Sequence, residues 1–180
     1  MSKRLDTARR AWVALRQLAQ LSPDERIALL ELASTAATEN VRPRQSATVS
    51  DEAIVSSLAS MRFAERVEIG PRASVGPFCC IWGGWSTAWA RVGADALLSP
   101  GVVMVAGNHG TQGTGPVRDA GFEEADVVVG EGAWIGAHAV LVGCRVGAGA
   151  VIGANAVVVD DVPDLAIAVG SPARVIGRRQ

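Results

Sequence analysis

The chain has 180 residues, a length that fits one domain with a small appendage. Hydrophobic residues make up 49% of it, yet only 4% of the residues are aromatic, tyrosine is absent and there are 20 glycines. A core built from small aliphatic side chains indicates a thin, stacked architecture rather than an ordinary globular one. The formal net charge of −1 gives no reason to expect nucleic acid or an anionic membrane as the main partner.

The three cysteines, Cys79, Cys80 and Cys144, do not have the pattern of a disulfide framework or a zinc site, because their count is odd and two are adjacent. We expect buried thiols that act as small hydrophobic side chains. The first ten residues carry charge but are not followed by the apolar region of a secretory signal. No stretch approaches the roughly 18 apolar residues that a membrane span needs. We therefore expect a cytoplasmic protein without a membrane span.

Residues 1–62 have the pattern of a helical segment. The spacing of apolar residues over 11–21 predicts one helix. A second helix should begin at Ser22, because serine is a good N-cap, Pro23 suits the first helical position and Glu25 completes a capping box. Residues 42–45 read as a linker, and a short third helix is predicted near 53–59. Nothing in this segment indicates chemistry.

From about residue 67 an aliphatic residue followed by glycine returns every six positions. The series runs Ile69-Gly70, Val75-Gly76 and Ile81, resumes after a break at Val92-Gly93 and Leu98-Ser99, and returns as Val129-Gly130, Ile135-Gly136, Val146-Gly147 and Ile152-Gly153. This period fits neither the pleat of a strand nor the face of a helix, and a β-sandwich would alternate at period two. It is typical of a solenoid with three flat segments to a coil and one inward side chain per segment. The glycine is needed because a Cβ would obstruct the corner.

Three stretches resemble the hexapeptide-repeat acyltransferases, and within them the sugar and xenobiotic O-acetyltransferase branch. They are Trp134-Ile-Gly-Ala-His-Ala-Val-Leu, Val146-Gly-Ala-Gly-Ala-Val-Ile-Gly-Ala-Asn-Ala-Val-Val and Gly170-Ser-Pro-Ala-Arg-Val-Ile. The resemblance covers residues 67–178. It implies a mainly β fold, a left-handed parallel β-helix over 63–165 with an inserted loop at 105–126 and a C-terminal tail at 166–180. The left hand is an exception to the usual crossover rule.

The inserted loop interrupts the six-residue rhythm and carries His109 within Asn108-His109-Gly110. Long loops in compact domains are usually functional or disordered. Imidazole changes its protonation state near neutral pH, so it suits the removal of a proton from a hydroxyl that attacks a thioester. The resemblance implies that His109 is this general base, the other interpretation being a solvated loop histidine. Asn108 either positions the loop or the acceptor, or is a plain turn residue.

The same resemblance implies a donor for the oxyanion of the tetrahedral intermediate. The backbone N–H of Ala137 falls where the family places it. Trp134 could line the acceptor cleft or the pantetheine slot of coenzyme A, or could pack at a corner. His138 follows Ala137 at an outward-facing position, and we expect a surface or interface histidine.

Coenzyme A should run along a groove near Ala154 and onward to Val159 and Asp160. Relatives usually carry Thr-Lys where this chain has Val159-Asp160, so a cation near the cofactor's phosphates is replaced by an acid. Arg174, Arg178 and Arg179 could compensate, because guanidinium suits phosphate. A basic tail that is merely solvated is the competing interpretation.

Trp82, Trp85 and Trp89 lie within eight residues of an otherwise aromatic-poor chain. They could stack on a sugar ring or a planar aglycone, or pack against the N-terminal helices, which is the favoured interpretation. The chain has two histidines, one too few for the zinc ligands of the γ-type carbonic anhydrases that share this scaffold, so no metal is expected.

Together these features predict an acetyl-CoA-dependent O-acetyltransferase acting on a hydroxyl of a saccharide or a glycosylated small molecule. N-acetylation of an amino sugar and a non-catalytic β-helix assembly subunit are the alternatives. A loop that projects from one solenoid can meet the flank of another, and the resemblance implies a homotrimer with sites between subunits. The sequence does not identify the acceptor.

Overall fold

The computed structural model describes residues 16–36 and 45–180. They belong to two compact units, which divide between residues 38 and 39. In the first unit, helix α1 spans Pro23–Ala36. The capping box predicted for it is present: the Glu25 N–H donates to Ser22 Oγ at 3.3 Å, and the Ser22 N–H donates to Glu25 Oε2 at 2.8 Å. Residues 11–15 of the predicted first helix and 42–44 of the linker lie outside the described residues, and residues 16–18 are helical.

The second unit is a stack of five three-stranded coils. In chain order the strands are β1 Thr48–Val49, β2 Ile54–Val55, β3 Ser60–Arg62; β4 Val67–Ile69, β5 Ser74–Val75, β6 Cys80–Trp82; β7 Ala90–Val92, β8 Leu97–Leu98, β9 Val103–Val105; the inserted β10 Gly107–His109 and β11 Phe122–Glu124; β12 Val127–Val129, β13 Trp134–Ile135, β14 Val140–Val142; β15 Arg145–Val146, β16 Val151–Ile152, β17 Val157–Val158; and finally β18 Ala166–Val169 and β19 Arg174–Arg178. Short 3-10 turns occupy Ala64–Arg66 and Val117–Asp119.

Each coil contributes one strand to each of three parallel sheets, which form the faces of a β-helix. Face 1 has the order β1-β4-β7-β12-β15, face 2 contains β2-β5-β8-β13-β16-β18 with β19 antiparallel at its edge, and face 3 has the order β3-β6-β9-β14-β17. The chain turns from face 2 to face 3 at what we call the second corner. It passes from face 3 of one coil to face 1 of the next at the coil junction. Every insertion into the repeat lies at the coil junction.

The core is the column of side chains enclosed by the three faces. It consists of small and aliphatic residues, among them Met61, Ile81, Met104 and Leu141, which are fully buried one above another on face 3. Among the described residues no polar or charged side chain is buried. Burial of an aliphatic side chain of this size contributes about 1.5–3 kcal/mol, so a thin fold without tyrosine can still be stable.

The repeated glycines are required by the neighbouring coil. A Cβ on Gly136 would lie 2.5 Å from the backbone nitrogen of Ala154, and one on Gly130 would lie 2.6 Å from that of Ala148. These glycines do not themselves adopt the left-handed backbone conformation. The residue two positions after the glycine adopts it, as Asp95 (φ 57°) does after Gly93. The steric reason predicted for the glycine is therefore confirmed, and it arises from the stacking distance between coils.

The first coil lies earlier than the sequence indicates. Residues 53–59, predicted as a short helix, form β2 and the turns beside it, and the β-helix begins at Thr48 rather than at residue 63. The inward residues Val49 and Val55 keep the six-residue spacing, but serine follows each of them where every later coil has glycine in at least one of the two positions. The marker that reveals the other coils is thus missing. None of the helices in the described ranges is long and apolar enough to cross a membrane.

Candidate active site at the His109 hairpin

The insertion that carries His109 is a β-hairpin rather than an unstructured loop. Strands β10 and β11 pair antiparallel, with Gly107 opposite Glu124, Asn108 opposite Glu123 and His109 opposite Phe122. The Gly110 N–H donates to the Gly121 carbonyl at 2.9 Å and closes the ladder. His109 therefore sits on a paired strand, which holds its backbone in one orientation even though its side chain is exposed.

Glu124 fastens this hairpin to the preceding coil junction. Its carboxylate accepts hydrogen bonds from the backbone N–H groups of Ser86 (2.7 Å), Thr87 (2.8 Å) and Ala88 (3.1 Å), and from both hydroxyls, at 3.2 Å for Ser86 and 2.8 Å for Thr87. These donors, the Thr87 N–H above all, lower the pKa of Glu124 from its ordinary 4.5 to about 2. The carboxylate is charged at neutral pH and holds the two segments together.

Asp126 makes a second connection at the base of the hairpin. It accepts the Trp89 N–H at 2.8 Å and pairs with Arg91 at 3.1 Å. Sequence reasoning identified neither acid. The sequence did carry a signal for them. Three acidic residues, at 123, 124 and 126, stand together at the end of the insertion, whereas the repeats consist mainly of small apolar residues.

A cleft of about 340 Å³ opens beside His109. The His109 and Phe122 rings lie 4.5 Å apart between centroids, Phe122 stacks on Trp85 at 5.6 Å with an interplanar angle of 28°, and Trp85 contacts Phe63 at 5.2 Å. Asn108 also lines the cleft. Four rings thus run in a continuous line that ends at the proposed base.

The tryptophan cluster divides into two parts. Trp82 and Trp85 line the cleft with His109, and the Arg62 guanidinium lies over the Trp82 ring at 5.2 Å from its centroid. Trp89 is not among the lining residues and is covered by Arg91, 4.8 Å from its centroid. For Trp82 and Trp85 this placement supports the interpretation that they stack on a sugar ring or a planar aglycone, which was not the interpretation favoured from the sequence.

The predicted oxyanion donor lies elsewhere on the coil. Ala137 is at the second corner, where its carbonyl accepts the Asn155 N–H at 2.9 Å. Trp134 begins β13 on face 2, half exposed, and donates its indole N–H to Ser99 Oγ at 3.0 Å. His109 is at the coil junction, so face 3 separates it from Ala137 within one chain. Ala154 lies one coil beyond Ala137 at the second corner and is exposed.

Val159 and Asp160 are exposed at the coil junction of the last coil. Asp160 pairs with Arg174 at 3.4 Å. Arg178 lies four residues further along β19, or about 13 Å in an extended strand, and donates to the Asp164 carbonyl at 3.3 Å. Of the arginines predicted to replace the missing lysine, Arg174 is paired with Asp160, Arg178 with the Asp164 carbonyl and Arg179 with the Gly149 carbonyl.

A second cavity, of about 330 Å³, adjoins the hairpin and shares Val105, Gly107 and Asn108 with the aromatic cleft. It is bounded by the base of the hairpin, including Gly107 and Asn108, and by Val142 and Gly143 of the following coil. Asn108 therefore borders both cavities.

The remaining candidates lie outside these cavities. His138 is exposed at the second corner with φ 59°, and its ring lies against Gly101. Cys79 and Cys144 are buried, and burial raises the pKa of the Cys144 thiol to about 11. Cys80 is half-buried on the outer side of β6.

No family model matches the chain. A relative from Mycobacterium tuberculosis, named as a probable acetyltransferase, is 32% identical over 123 residues; the match covers 67% of this chain and 38% of the relative's length. A hexapeptide-repeat acetyltransferase from Vibrio cholerae, solved with acetyl coenzyme A, has a TM-score of 0.64 at 22% identity over 91% of this chain and 82% of its own. AntD, an N-acyltransferase from Bacillus cereus solved with dTDP and 3-hydroxybutyryl-CoA, has a TM-score of 0.60 at 18% identity, over 78% and 87%.

The solved structures are similar to the chain in fold. The Mycobacterium tuberculosis relative is similar to it in sequence over 67% of this chain, which corresponds to 38% of the relative. In its fold and its six-residue repeats, the chain is similar to the hexapeptide-repeat acyltransferases.

Proposed function

We propose that this protein is an acetyl-CoA-dependent O-acetyltransferase that acts on a hydroxyl of a saccharide or a glycosylated small molecule. The observation that carries the proposal is the placement of His109: it stands on a hairpin fastened by Glu124, at the end of a ring-lined cleft. A histidine held at the edge of a cavity is suited to general-base catalysis.

The chemistry assigned to His109 is proton transfer. Its imidazole takes the proton of the acceptor hydroxyl as the oxygen attacks the thioester carbonyl. The tetrahedral intermediate then expels the thiolate of coenzyme A, which receives that proton from the imidazolium. The backbone N–H of Ala137 is proposed to donate to the oxyanion meanwhile. Asn108, adjacent to His109 and bordering both cavities, is proposed to orient the acceptor or the donor.

This assignment needs more than one copy of the chain. Because face 3 separates His109 from Ala137, both can act on one substrate only if the hairpin of one copy meets the second corner of another. We therefore propose a homotrimer of left-handed β-helices with a site at each interface. Trp134 and Ala154, on the same side of the coil as Ala137, would then border the donor groove.

Coenzyme A is proposed to enter along that groove towards Val159 and Asp160. Support comes from AntD and the Vibrio cholerae enzyme, which are solved with acyl coenzyme A. The pairing of Arg174 with Asp160 reduces the positive charge available to the phosphates at this point. Arg178 is left to contact them from the far end of β19.

N-acetylation of an amino sugar is the second candidate. The likeness to AntD favours it, since AntD is an N-acyltransferase that is also solved with dTDP-4-amino-4,6-dideoxyglucose. The base and the donor site would be the same. The two candidates differ in whether the atom that attacks the thioester is an oxygen or a nitrogen.

The test is thiol release from acetyl-CoA over a panel of sugars that carry hydroxyl or amino groups. His109→Ala should lower kcat/KM by about 10²- to 10⁴-fold, the usual contribution of a general base. His138→Asn is the matched control, because Asn155 has the same left-handed conformation one coil further on. If no acceptor supports turnover and acetyl-CoA does not bind, the proposal is wrong. Full activity of His109→Ala would refute the assignment of the base.

A further inference from the structure

Arg66 carries a charge although the stacked coils cover most of its side chain, which is 17% exposed. It ends the 3-10 turn Ala64–Arg66 at the junction between the first and second coils. Its Nε donates to the Gly84 carbonyl and its Nη2 to the Trp85 carbonyl, both at 2.7 Å. Nη2 also pairs with Glu65 Oε1 at 2.7 Å. A covered cation is costly unless its donors are used, and here a planar fork uses them on one turn of the next junction.

The turn that Arg66 binds, residues 84–88, is held at both ends by side chains of opposite charge. The Gly84 N–H donates to the Ala88 carbonyl at 2.8 Å, which closes the turn. Arg66 occupies two carbonyls at its beginning, whereas the Glu124 carboxylate occupies the three N–H groups of 86–88 at its end. The turn is therefore clamped between the first coil junction and the hairpin.

Strand pairing leaves this turn to be positioned by side chains. The face 3 ladder ends at Trp82, and face 1 resumes only at Ala90. Gly83 is still seated by backbone contact, because its N–H donates to the Arg62 carbonyl at 3.0 Å and a Cβ there would lie 2.6 Å from the Phe63 carbonyl oxygen. Beyond it, the guanidinium described above supplies the contact with the first junction.

The turn contacts the hairpin at two points that lead to His109. Gly107, two residues before the histidine, faces Gly84: a Cβ on Gly107 would lie 3.9 Å from the Gly84 Cα. The Trp85 ring stacks on Phe122 at 5.6 Å, and the Phe122 ring lies 4.5 Å from that of His109. The two turn residues in these contacts are the two whose carbonyls the guanidinium binds. A shift of the turn would therefore be passed to the imidazole by both routes.

We propose that Arg66 is a positioning residue for His109: its guanidinium fixes the turn at 84–88, and the turn fixes the hairpin that carries the imidazole. This rests on the proposed function, in which His109 is the base. Arg66 is not one of the residues that line the cleft, so it acts on kcat through the turn and not on the binding of acetyl-CoA. Lysine keeps the charge but lacks the planar fork, so it cannot hold both carbonyls in the same geometry.

The kinetic test compares Arg66→Lys and Arg66→Gln with Glu65→Gln, the matched control that removes the exposed partner and keeps both carbonyl contacts. Each Arg66 variant should lower kcat about tenfold and leave the KM of acetyl-CoA within about twofold, while the control matches the wild type. Because Arg66 and Glu124 hold one turn, Arg66→Lys combined with Glu124→Gln should lose little more than the stronger single variant. Unchanged kcat, losses that multiply, or unfolding of both Arg66 variants on thermal melting would overturn the inference.

A second readout needs no acceptor and separates this inference from the proposed function. The chain has two histidines, so NMR of histidine-labelled protein gives two imidazole signals, which His138→Asn assigns. The Phe122 ring should shift the His109 signal by its ring current. In Arg66→Lys that shift should shrink, as in Glu124→Gln, while the His138 signal stays in place. An unmoved His109 signal overturns the inference and leaves acetyl transfer standing. A moved signal without turnover on any acceptor refutes the function and leaves the coupling of Arg66 to His109 standing.

Discussion

The carboxylate of Glu124 binds Thr87 twice, accepting its backbone N–H and its hydroxyl, each at 2.8 Å. Thr87 belongs to the turn that carries Trp85, and Glu124 belongs to the hairpin that carries His109. These two contacts therefore set the position of the proposed base relative to the aromatic wall of the cleft. They join segments 37 residues apart in the chain.

Glu124→Gln should impair catalysis more than folding. The amide keeps one acceptor oxygen and directs an NH₂ group at the N–H donors of the turn, so the hairpin loses its fixed position. Misplacement by about 1 Å can cost about 10²-fold in rate, and we expect kcat to fall by about tenfold to 10²-fold. Steady-state kinetics with thermal melting measures both effects.

Glu123→Gln is the matched control for that substitution. Glu123 is exposed on the same strand and is the neighbour of Glu124. Its variant should keep wild-type kinetics. Equal kinetics in the two variants would show that the carboxylate of Glu124 does not position His109.

The same carboxylate predicts how the hairpin responds to acid. The pKa of Glu124 is about 2 in the folded protein against an ordinary value of 4.5. Its contribution to stability is therefore fully present above about pH 4.5 and is lost as the pH falls towards 2. Tryptophan fluorescence followed from pH 7 to 2 should show a change below pH 4.5 that is absent from Glu124→Gln. Identical titrations of the two proteins would contradict the assignment.

Gly136, which follows the inward residue Ile135, should be intolerant of a side chain. In Gly136→Ala the new Cβ would meet the backbone of Ala154, which cannot move without disturbing the next coil. Overpacking of this kind costs about 1–3 kcal/mol. Denaturant unfolding should show this loss, whereas Gly177→Ala, whose Cβ would meet no atom within 4 Å, should be close to wild type. Equal stability of both variants would refute the stacking explanation.

The repeat could be predicted from sequence because it follows from this one steric contact. Each coil with glycine after at least one inward residue was found; in the first coil Ser50 and Ser56 take both positions, and it was missed. The hairpin was missed as well, because paired strands of three residues have no period to detect. The aromatic cleft could not be seen because Phe63, Trp85 and Phe122 come together only once the coil junctions are stacked.

Asp160 should weaken the binding of coenzyme A through its pairing with Arg174. Asp160→Asn frees the guanidinium for the phosphates and should lower the KM of acetyl-CoA by up to about fivefold, the range of an exposed ion pair. Arg174→Gln should raise it. The effect should fade at high salt.

Arg72→Gln is the control, because it breaks an exposed ion pair with Asp95 at the corner between face 1 and face 2. An unchanged KM in both Asp160→Asn and Arg174→Gln would place the phosphates elsewhere.

Ala137→Pro removes the proposed oxyanion donor without disturbing the corner. Proline already occupies the equivalent position of two earlier coils, at Pro77 and Pro100, so the fold tolerates its ring. Loss of one such donor lowers kcat by about 10²- to 10³-fold. Thermal melting should be near wild type. Undiminished turnover would show that the Ala137 N–H takes no part.

The most direct measurement combines this variant with His109→Ala in mixed assemblies, formed by co-expression or by refolding the two chains together. If each site takes His109 from one copy and Ala137 from its neighbour, random mixing in equal amounts restores about a quarter of the sites. We predict that each variant alone is nearly inactive in thiol release and that the mixture regains about that fraction of wild-type activity. A mixture as inactive as its two parents would contradict a site shared between copies with His109 as its base.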